Sequence, residues 1–409
     1  MEELKFIGSL GKPKDYKAKV WDGEVFRNVE LVWGDHVLPR PIIHDEAHPG
    51  PGYVPKRVRA SNGFVHESHL LGVGLLEIYT IDVGQGDGIL MRTPDDKWHL
   101  IDAGVSNARQ NMIKKGAANF LRWKFIYELQ KDSVVLENVI VTHPDFDHFG
   151  GLLDLLGGEL TQFKAGDRRY NPDEKLKVTV KNFYHNGIGR YNRTGIPQYG
   201  RTERGDLRTG NFILEEDLLD DRNSFVDPPH PFQPEFVKLA ELLANAGFTT
   251  IKRIDSSMGY LPGYEQDKPV TIKILSPILQ RYAPGRKSLK VFDSPNAAYR
   301  LTVNGRLITL RVDYKNARIL LTGDLNKESQ KNLLAAGLDP AELLSDVAKA
   351  CHHGSDKIDP NFMAKIAARA TIFSSGDNEG HAHPRPIALG MAGFYGRPFQ
   401  DLQGKFLPP

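Results

Sequence analysis

Short strand-like pieces open the chain, at Ala18–Trp21 and Val29–Trp33, before a Pro-, Gly- and His-rich stretch through Pro49–Pro55. This pattern predicts a small β-rich module with a linker over residues 1–68. From Leu75 the pattern changes to alternating strands and helices. Leu76–Asp82 reads as a strand running into the turn Gly84-Gln85-Gly86-Asp87-Gly88, with further strands at Gly88–Arg92 and Trp98–Asp102. Met112–Gln130 carries Ile113, Ala117, Phe120, Leu121 and Leu129 at helical spacing. Val139–Thr142 is a short β-branched strand, and Leu152–Leu156 reads as a small helix.

Residues 157–265 hold less regular pattern, apart from a strand at Lys177–Tyr184 and a helix at Glu235–Ala246 closed by Gly247. Strands return at Val270–Leu275, Ala298–Val303, Leu307–Val312 and Arg318–Thr322. A helix near Glu328–Ala336, a strand at Val347–Cys351, a helix around Pro360–Ala368 and a strand at Thr371–Ser374 follow. This order predicts an α/β protein of packed sheets with helices outside. The expected organisation is an accessory module at 1–68 and a main domain at 69–409, with an insertion at about 157–265.

Composition narrows the picture only slightly. A chain of 409 residues, 40% apolar and 25% charged, has the make-up of a globular protein, and a formal charge of +2 selects no partner. No stretch approaches the roughly 20 apolar residues of a spanning helix, so no membrane insertion is expected. The opening MEELKFIGSLGK lacks the apolar core of a secretion signal, and the single cysteine excludes an intramolecular disulfide framework. A cytoplasmic location is the expectation. Cys351 directly precedes two histidines but reads as a small buried strand residue. The lysines of the N-terminal module (Lys12, Lys14, Lys17, Lys19) make it a candidate surface for a protein partner, beside the plainer reading of a solvated face.

The chemistry concentrates in Thr142-His143-Pro144-Asp145-Phe146-Asp147-His148-Phe149-Gly150-Gly151, where four potential ligands follow an apolar strand within six residues. His143, Asp145 and Asp147 alternate and can share one side of an extended turn, with His148 starting the helix beyond. Imidazole with carboxylate suits Zn²⁺, Mn²⁺ or Fe²⁺ better than an ion that prefers oxygen alone. Two further apolar strands end in ligand types: Ile319–Thr322 runs into Gly323-Asp324, and Val347–Cys351 runs into His352-His353-Gly354-Ser355. Strand ends on one sheet rim are a way for distant segments to converge on a metal.

The runs Ile81–Asp87, Leu100–Gly104, Thr142–Gly151, Leu321–Asp324 and His352–Ser355 occur in an order that resembles the metallo-β-lactamase superfamily. They look most like the hydrolase domain of bacterial DNA-uptake (competence) channel proteins, in which Asp stands where the β-lactamases have the second His, as Asp145 does here. Gly380-His381-Ala382-His383-Pro384 approximates the late Gly-His-Pro element of that branch. The resemblance covers about residues 74–390 and implies an αββα metallo-β-lactamase sandwich. It implies two divalent metal ions, Zn²⁺ or Mn²⁺, one held by His143 and Asp145 and the other by Asp147 and His148, with Asp324 bridging. His352 or His353 would complete the second site, with His352 preferred, and His185 is placed as a further ligand or as a structural or substrate-facing histidine. Asp102 resembles the family's early strand-end Asp, which orients a ligand His. Leu307 stands where the relatives often have Ser in Asn-x-x-Ser, which bears on substrate rather than metal.

On this resemblance, two cations would lower the pKa of a shared water from 15.7 toward roughly 7. Asp145, Asp147, Asp324 and His383 are then the candidate catalytic residues; His383 and Ser355 are candidates for contacting the scissile group, and His383 reads equally as a helix or turn histidine beside Pro384. Residues 164–208 carry eleven basic against five acidic side chains, interleaved with aromatics such as Tyr170, Tyr191 and Tyr199. Cations and rings together suit a phosphate backbone and stacked bases, with Arg190 and Arg193 as candidate contacts. The acidic stretch Glu215–Asp221 follows, so pairing within the segment is the competing reading. A metal-dependent phosphodiesterase or nuclease acting on DNA or RNA is the expectation. The alternatives are hydrolysis of a small ester, lactone, thioester or nucleotide, and a metal-binding sensing or interaction module.

Overall fold

A computed structural model describes residues 5–8, 17–21, 26–32, 34–40, 48–58, 61–72, 74–109, 116–157, 176–192, 195–206, 210–245, 247–292, 298–376 and 380–398. The first seven strands are β1 (Lys5–Ile7), β2 (Lys17–Trp21), β3 (Phe26–Glu30), β4 (His36–Pro39), β5 (Tyr53–Val58), β6 (Ser61–His66) and β7 (Leu70–Leu71). They form one sheet of order β3-β2-β6-β5-β4-β1-β7, which reaches past residue 68. Ile7, Leu31, Val37, Val58 and Val65 make its small core. It packs on the rest of the chain through a buried cation. Arg92 pairs with Glu77 at 3.1 Å and with Asp96 at 2.7 Å, while its guanidinium lies 4.4 Å from the centre of the Phe6 ring.

The next elements are β8 (Glu77–Thr80), β9 (Gly88–Arg92), β10 (Trp98–Ala103), α1 (Ala117–Arg122), β11 (Ser133–Val141), α2 (Phe146–Leu156) and β12 (Lys177–His185). A hairpin of β13 (Thr202–Arg204) and β14 (Asn211–Ile213) precedes α3 (Arg222–Val226), α4 (Pro234–Asn245) and β15 (Thr250–Arg253). Then come β16 (Val270–Ser276), a small hairpin of β17 (Gln280–Ala283) and β18 (Arg286–Ser288), α5 (Ala298–Gly305), β19 (Thr309–Tyr314) and β20 (Ala317–Leu321). The chain continues through α6 (Lys327–Ala335), β21 (Val347–Lys349), α7 (Pro360–Ile366), β22 (Ala370–Ile372) and α8 (Pro386–Tyr395).

Two sheets organise this main part, β15-β12-β11-β10-β9-β8 and β16-β19-β20-β21-β22. In each, an antiparallel edge turns into parallel strands: β10, β11, β12 and β15 in the first, β20, β21 and β22 in the second. Alternation along the strands fixes the layers. Ile89, Met91, Ile101 and Ile140 meet Ile272, Ile274, Leu310 and Val312 in a core between the sheets. Their neighbours Leu90, Leu100, Val139 and Val141 point the other way, onto Leu121, Phe149, Leu152 and Leu239 of the helices. Leu320 and Ala348 face Leu333, Phe362 and Ala388 on the far side. The result is an αββα sandwich, as the sequence predicts.

Three local differences from the expected elements have physical causes. Ala298–Val303 is helical, within α5, rather than a strand: Thr302 and Val303 are buried, and the Asn326 amide donates to the Leu301 carbonyl at 2.8 Å, so tertiary packing overrides β-branched preference. α2 begins at Phe146, well before Leu152. Gly150 and Gly151 do not mark a turn; a Cβ on Gly151 would fall 2.1 Å from the Ala103 carbonyl oxygen, so this glycine lets the helix lie close on the end of β10. Residues 157–265 are not all outside the sandwich, since β12 and β15 belong to the first sheet and α4 to its helical layer. Among the described residues, no helix is long and apolar enough to cross a membrane.

Candidate metal centre

The C-terminal ends of the parallel strands converge on one rim. β10 ends through Asp102, β11 passes into His143–Asp145, β20 leads to Asp324, and β21 leads to His352 and His353. Asp145 is the N-cap of α2, in extended backbone and without a capping bond from its side chain, which places Asp147 and His148 in the first helical turn. The loop after β8 lies directly on that turn. A Cβ on Gly86, at φ +97, would fall 1.7 Å from the Asp147 carbonyl oxygen, so only glycine lets the loop through. The adjacent Asp87 amide donates to that same carbonyl at 3.3 Å.

Asp147, His148, Asp324 and His353 each turn a ligand-type atom toward a common point, all within 4.8 Å of one another. His353 Nε2 lies 3.1 Å from Asp324 Oδ2 and 3.7 Å from Asp147 Oδ2, and His148 Nε2 lies 3.5 Å from Asp324 Oδ1. His143 stands beside them, its ring centre 4.0 Å from that of His148, with Nε2 3.6 Å from Asp145 Oδ2. His143 Nε2, His148 Nε2, His353 Nε2 and Asp324 Oδ1 are buried with no hydrogen-bond partner among the described residues. Four unpartnered buried polar atoms in one place are costly unless something satisfies them, and an imidazole–carboxylate set is the ligand chemistry of a divalent transition metal. The residues present therefore fit such an ion.

The surrounding groups fix the rings. Asp102 Oδ2 lies 2.7 Å from His148 Nδ1, and the same carboxylate accepts from Thr142 N and Thr142 Oγ1 at 2.7 Å each. His353 Nδ1 donates to the Ser374 carbonyl at 3.0 Å. These bonds leave both Nε2 atoms facing the cluster. Burial disfavours the charged imidazole of His148, but Asp324 and Asp102 overcome it and hold its pKa well above the ordinary value. His353 behaves alike beside Asp324 and Asp87. Burial opposes the charge on Asp324 too, yet His353, His352 and His148 keep its pKa well below the usual carboxylate range. Since a ligating nitrogen must be deprotonated, metal uptake here displaces protons.

Not every candidate joins the cluster. His352, preferred in the sequence, lies with Nε2 3.6 Å from Asp324 Oδ2 and is partly exposed, whereas His353 is the one grouped with Asp147 and His148. Both residues sit at positive φ, 45 and 55, and this tight left-handed turn, invisible in the dipeptide, decides which ring points inward. The structure does not bring His185 into either group of converging ligand atoms. Its Nδ1 accepts from Gly187 N, its ring packs 5.1 Å from Phe225, and burial lowers its pKa to about 3. Ser355 Oγ accepts from Lys357 N and bonds Asp356, both chain neighbours. His383 stands at the rim, 5.9 Å between ring centres from His352.

Among the described residues of the basic segment, two cations are engaged within the fold. Arg201 pairs with buried Asp217 at 2.7 Å and Lys181 with Glu137 at 2.7 Å. Arg190 differs, because it points at the centre: Nη1 lies 3.7 Å from Asp145 Oδ1 and donates to the Pro144 carbonyl at 3.3 Å. Arg193, Tyr170, Lys164, Arg168, Arg169, Lys175 and Arg208 lie outside the described residues. Sequence reasoning passed over two groups at the centre, Asp87 and Lys349. A lysine inside the otherwise apolar run Val347–Ala350 was the available signal.

A model of the metallo-beta-lactamase superfamily matches residues 81–158, which take in the Gly84–Asp87 loop, Asp102 and the His143–His148 run. The fold is that of the metallo-β-lactamase superfamily. Similar solved structures include the metallo-beta-lactamase fold protein YhfI from Bacillus subtilis, 10% identical, covering 79% of this chain and 94% of that one at a TM-score of 0.37. Zn(2+)-bound PqqB from Methylobacterium extorquens is 11% identical over 75% of this chain and 72% of its own, with a TM-score of 0.28. CmlA, a diiron beta-hydroxylase from Streptomyces venezuelae, is 10% identical over 84% of this chain and 59% of its own, with a TM-score of 0.29. No curated protein matches the chain. None of these names transfers a metal or a substrate to this metallo-β-lactamase-fold protein.

Proposed function

We propose that the chain is a metal-dependent hydrolase of phosphodiesters, a phosphodiesterase or nuclease, working at the cluster of Asp147, His148, Asp324 and His353 with His143 and Asp145 beside it. The observation that carries the substrate class is Arg190, whose guanidinium lies 3.7 Å from the Asp145 carboxylate at the edge of the cluster. A fixed cation there is suited to hold a phosphoryl oxygen against the reacting position. Bound divalent ions, Zn²⁺ or Mn²⁺, would supply an activated water and stabilise developing negative charge. In this reading Asp147, Asp324, His148 and His353 would hold one ion and His143 and Asp145 would hold a second, with Asp324 as the shared carboxylate. Asp102 orients His148.

His383 contributes at the rim. Burial, reinforced by His352 and His353, lowers its pKa to about 4, so it is neutral near pH 7 and can donate its ring N–H to an oxygen of the scissile group. The nuclease form of the proposal draws support from the motif likeness to DNA-uptake hydrolase domains and from the basic segment. Internal pairing of Arg201 with Asp217 and of Lys181 with Glu137 reduces what that segment offers a long backbone. Residues 1–68 serve in this reading as an accessory module.

The test is purified protein with Mn²⁺ or Zn²⁺ assayed against single- and double-stranded DNA, RNA, bis(p-nitrophenyl) phosphate and p-nitrophenyl acetate. Metal-dependent cleavage of any phosphodiester supports the proposal, and cleavage of DNA or RNA selects the nuclease form. Ester cleavage without phosphodiester cleavage would overturn the substrate class.

A further inference from the structure

Lys349 is a lysine with almost no exposed side-chain surface, placed at the end of β21 one strand away from the cluster. A buried ammonium persists only where anions and carbonyls replace its water. Three do so here. Nζ lies 2.5 Å from Asp87 Oδ2, donates to the Gly323 carbonyl at 2.9 Å and sits 3.6 Å from Asp324 Oδ1. Asp87 arrives on the loop after β8 in the first sheet, and Asp324 on the end of β20 in the second. One ammonium therefore ties the two sheets together at the rim where the candidate ligands meet. Asp87 also carries the tie to a ligand ring, with Oδ1 3.3 Å from His353 Nδ1.

Charge explains why a lysine stands there. Asp87, Asp102, Asp147 and Asp324 crowd into one small volume, and Asp87 and Asp324 are almost fully buried. Without a cation their mutual repulsion would drive the strand ends apart or force some of them to take protons. Histidines supply part of the balance, but a histidine that ligates a metal gives up its proton. Lys349 instead sets its ammonium directly against Asp87 and Asp324. No sequence motif of the site assigns it a role.

We infer that Lys349 is a built-in counter-cation that keeps the metal-binding carboxylates assembled before any metal ion arrives. It is a positioning residue, since Nζ reaches the carboxylates and not the reacting point. The inference rests on the proposed metal site. An ordinary buried ion pair would stabilise the metal-free and metal-loaded protein equally. A counter-cation for the empty ligand set matters most when no ion is present, because a bound divalent ion takes over its task.

The experiment compares thermal melts of the full chain in chelator and in excess Mn²⁺ or Zn²⁺, for wild type, Lys349→Met, Lys349→Arg and the double variant Asp87→Asn with Lys349→Met. Lys349→Met should melt several degrees lower in chelator and lose much less with metal, so the metal-induced rise widens. Lys349→Arg keeps the charge and should show a smaller widening. The double variant removes one of the repelling carboxylates and should regain part of the loss in chelator. If Lys349→Met folds only with metal, that is the same result in extreme form. An equal fall in both conditions overturns the inference, as does a double variant no more stable in chelator than Lys349→Met. A wild type whose melt ignores both ions would instead sink the metal site itself, a distinguishable failure.

Discussion

Asp102 clamps His148: its Oδ2 lies 2.7 Å from His148 Nδ1, and the same carboxylate holds Thr142 N and Thr142 Oγ1. The residue that orients the ring thus also fixes the backbone from which His143 projects. Asp102 itself takes a φ of 54, a left-handed conformation that an Asp tolerates better than most non-glycine residues.

Asp102→Asn keeps the shape and removes the charge. It should lower metal affinity about 10- to 100-fold, the range for a group that orients a ligand histidine without touching the metal. Competition against a calibrated chelator measures this. Affinity equal to wild type would mean that Asp102 serves only the backbone of Thr142.

His353 and His185 separate by the same measurement. His353→Ala should lose metal, because its Nε2 is one of the four converging atoms. His185→Phe should keep its metal content and melt near wild type, since the ring already packs against Phe183 and Phe225. Metal loss in His185→Phe would return His185 to the ligand set.

The parallel strand ends were readable because each is an apolar run closed by a ligand type, as in Val139–Asp145 and Ile319–Asp324. Their convergence could be expected but not located, since pairing between β12 and β11 or between β21 and β20 is a long-range property. His352 and His353 could not be told apart because the choice depends on two consecutive positive φ angles. α5 was misread because Thr302 and Val303 favour strands in isolation and become helical only against neighbouring packing. Charge counting over residues 164–208 left two readings open, and the pairing one is met at Arg201, whose buried partner Asp217 lies in the acidic stretch Glu215–Asp221.

His99 gives a pH prediction away from the cluster. Burial lowers its pKa to about 3, between Asn138 at 3.0 Å and the Tyr264 hydroxyl at 2.8 Å. An unfolded histidine titrates near 6.5. Between those values the unfolded chain takes up a proton that the native state refuses, so stability is full above about pH 6.5 and falls as the pH drops toward 3. The contribution is at most about 1.4 kcal/mol per pH unit. His99→Gln should be less stable at pH 7, through imperfect bonding to Asn138 and Tyr264, yet lose less on going from pH 6.5 to 4.5. Denaturant melts at the two pH values check this, and an unchanged difference between them would show that His99 is not the group responsible.

Arg190 and Arg201 provide the contrast that decides whether the basic segment serves substrate or fold. Arg201 binds Asp217, which is fully buried and also meets His230 at 2.9 Å. Arg201→Ala should therefore cost stability, about 1–2 kcal/mol given the half-exposed guanidinium, with little effect on KM. Arg190 lies at the rim beside Asp145, where a phosphoryl oxygen would approach. Arg190→Gln should melt close to wild type and weaken phosphodiester binding. With a nucleic-acid substrate it should also flatten the plot of log affinity against log salt by about 0.7–0.9, the effect of leaving one phosphate without its cation. An uncharged ester should be turned over by Arg190→Gln as by wild type, because it offers no anion for the guanidinium. Should Arg201→Ala change affinity while Arg190→Gln does not, the substrate would run along the β13–β14 hairpin rather than past Asp145, and Arg190 would no longer support a phosphodiester at the metal centre.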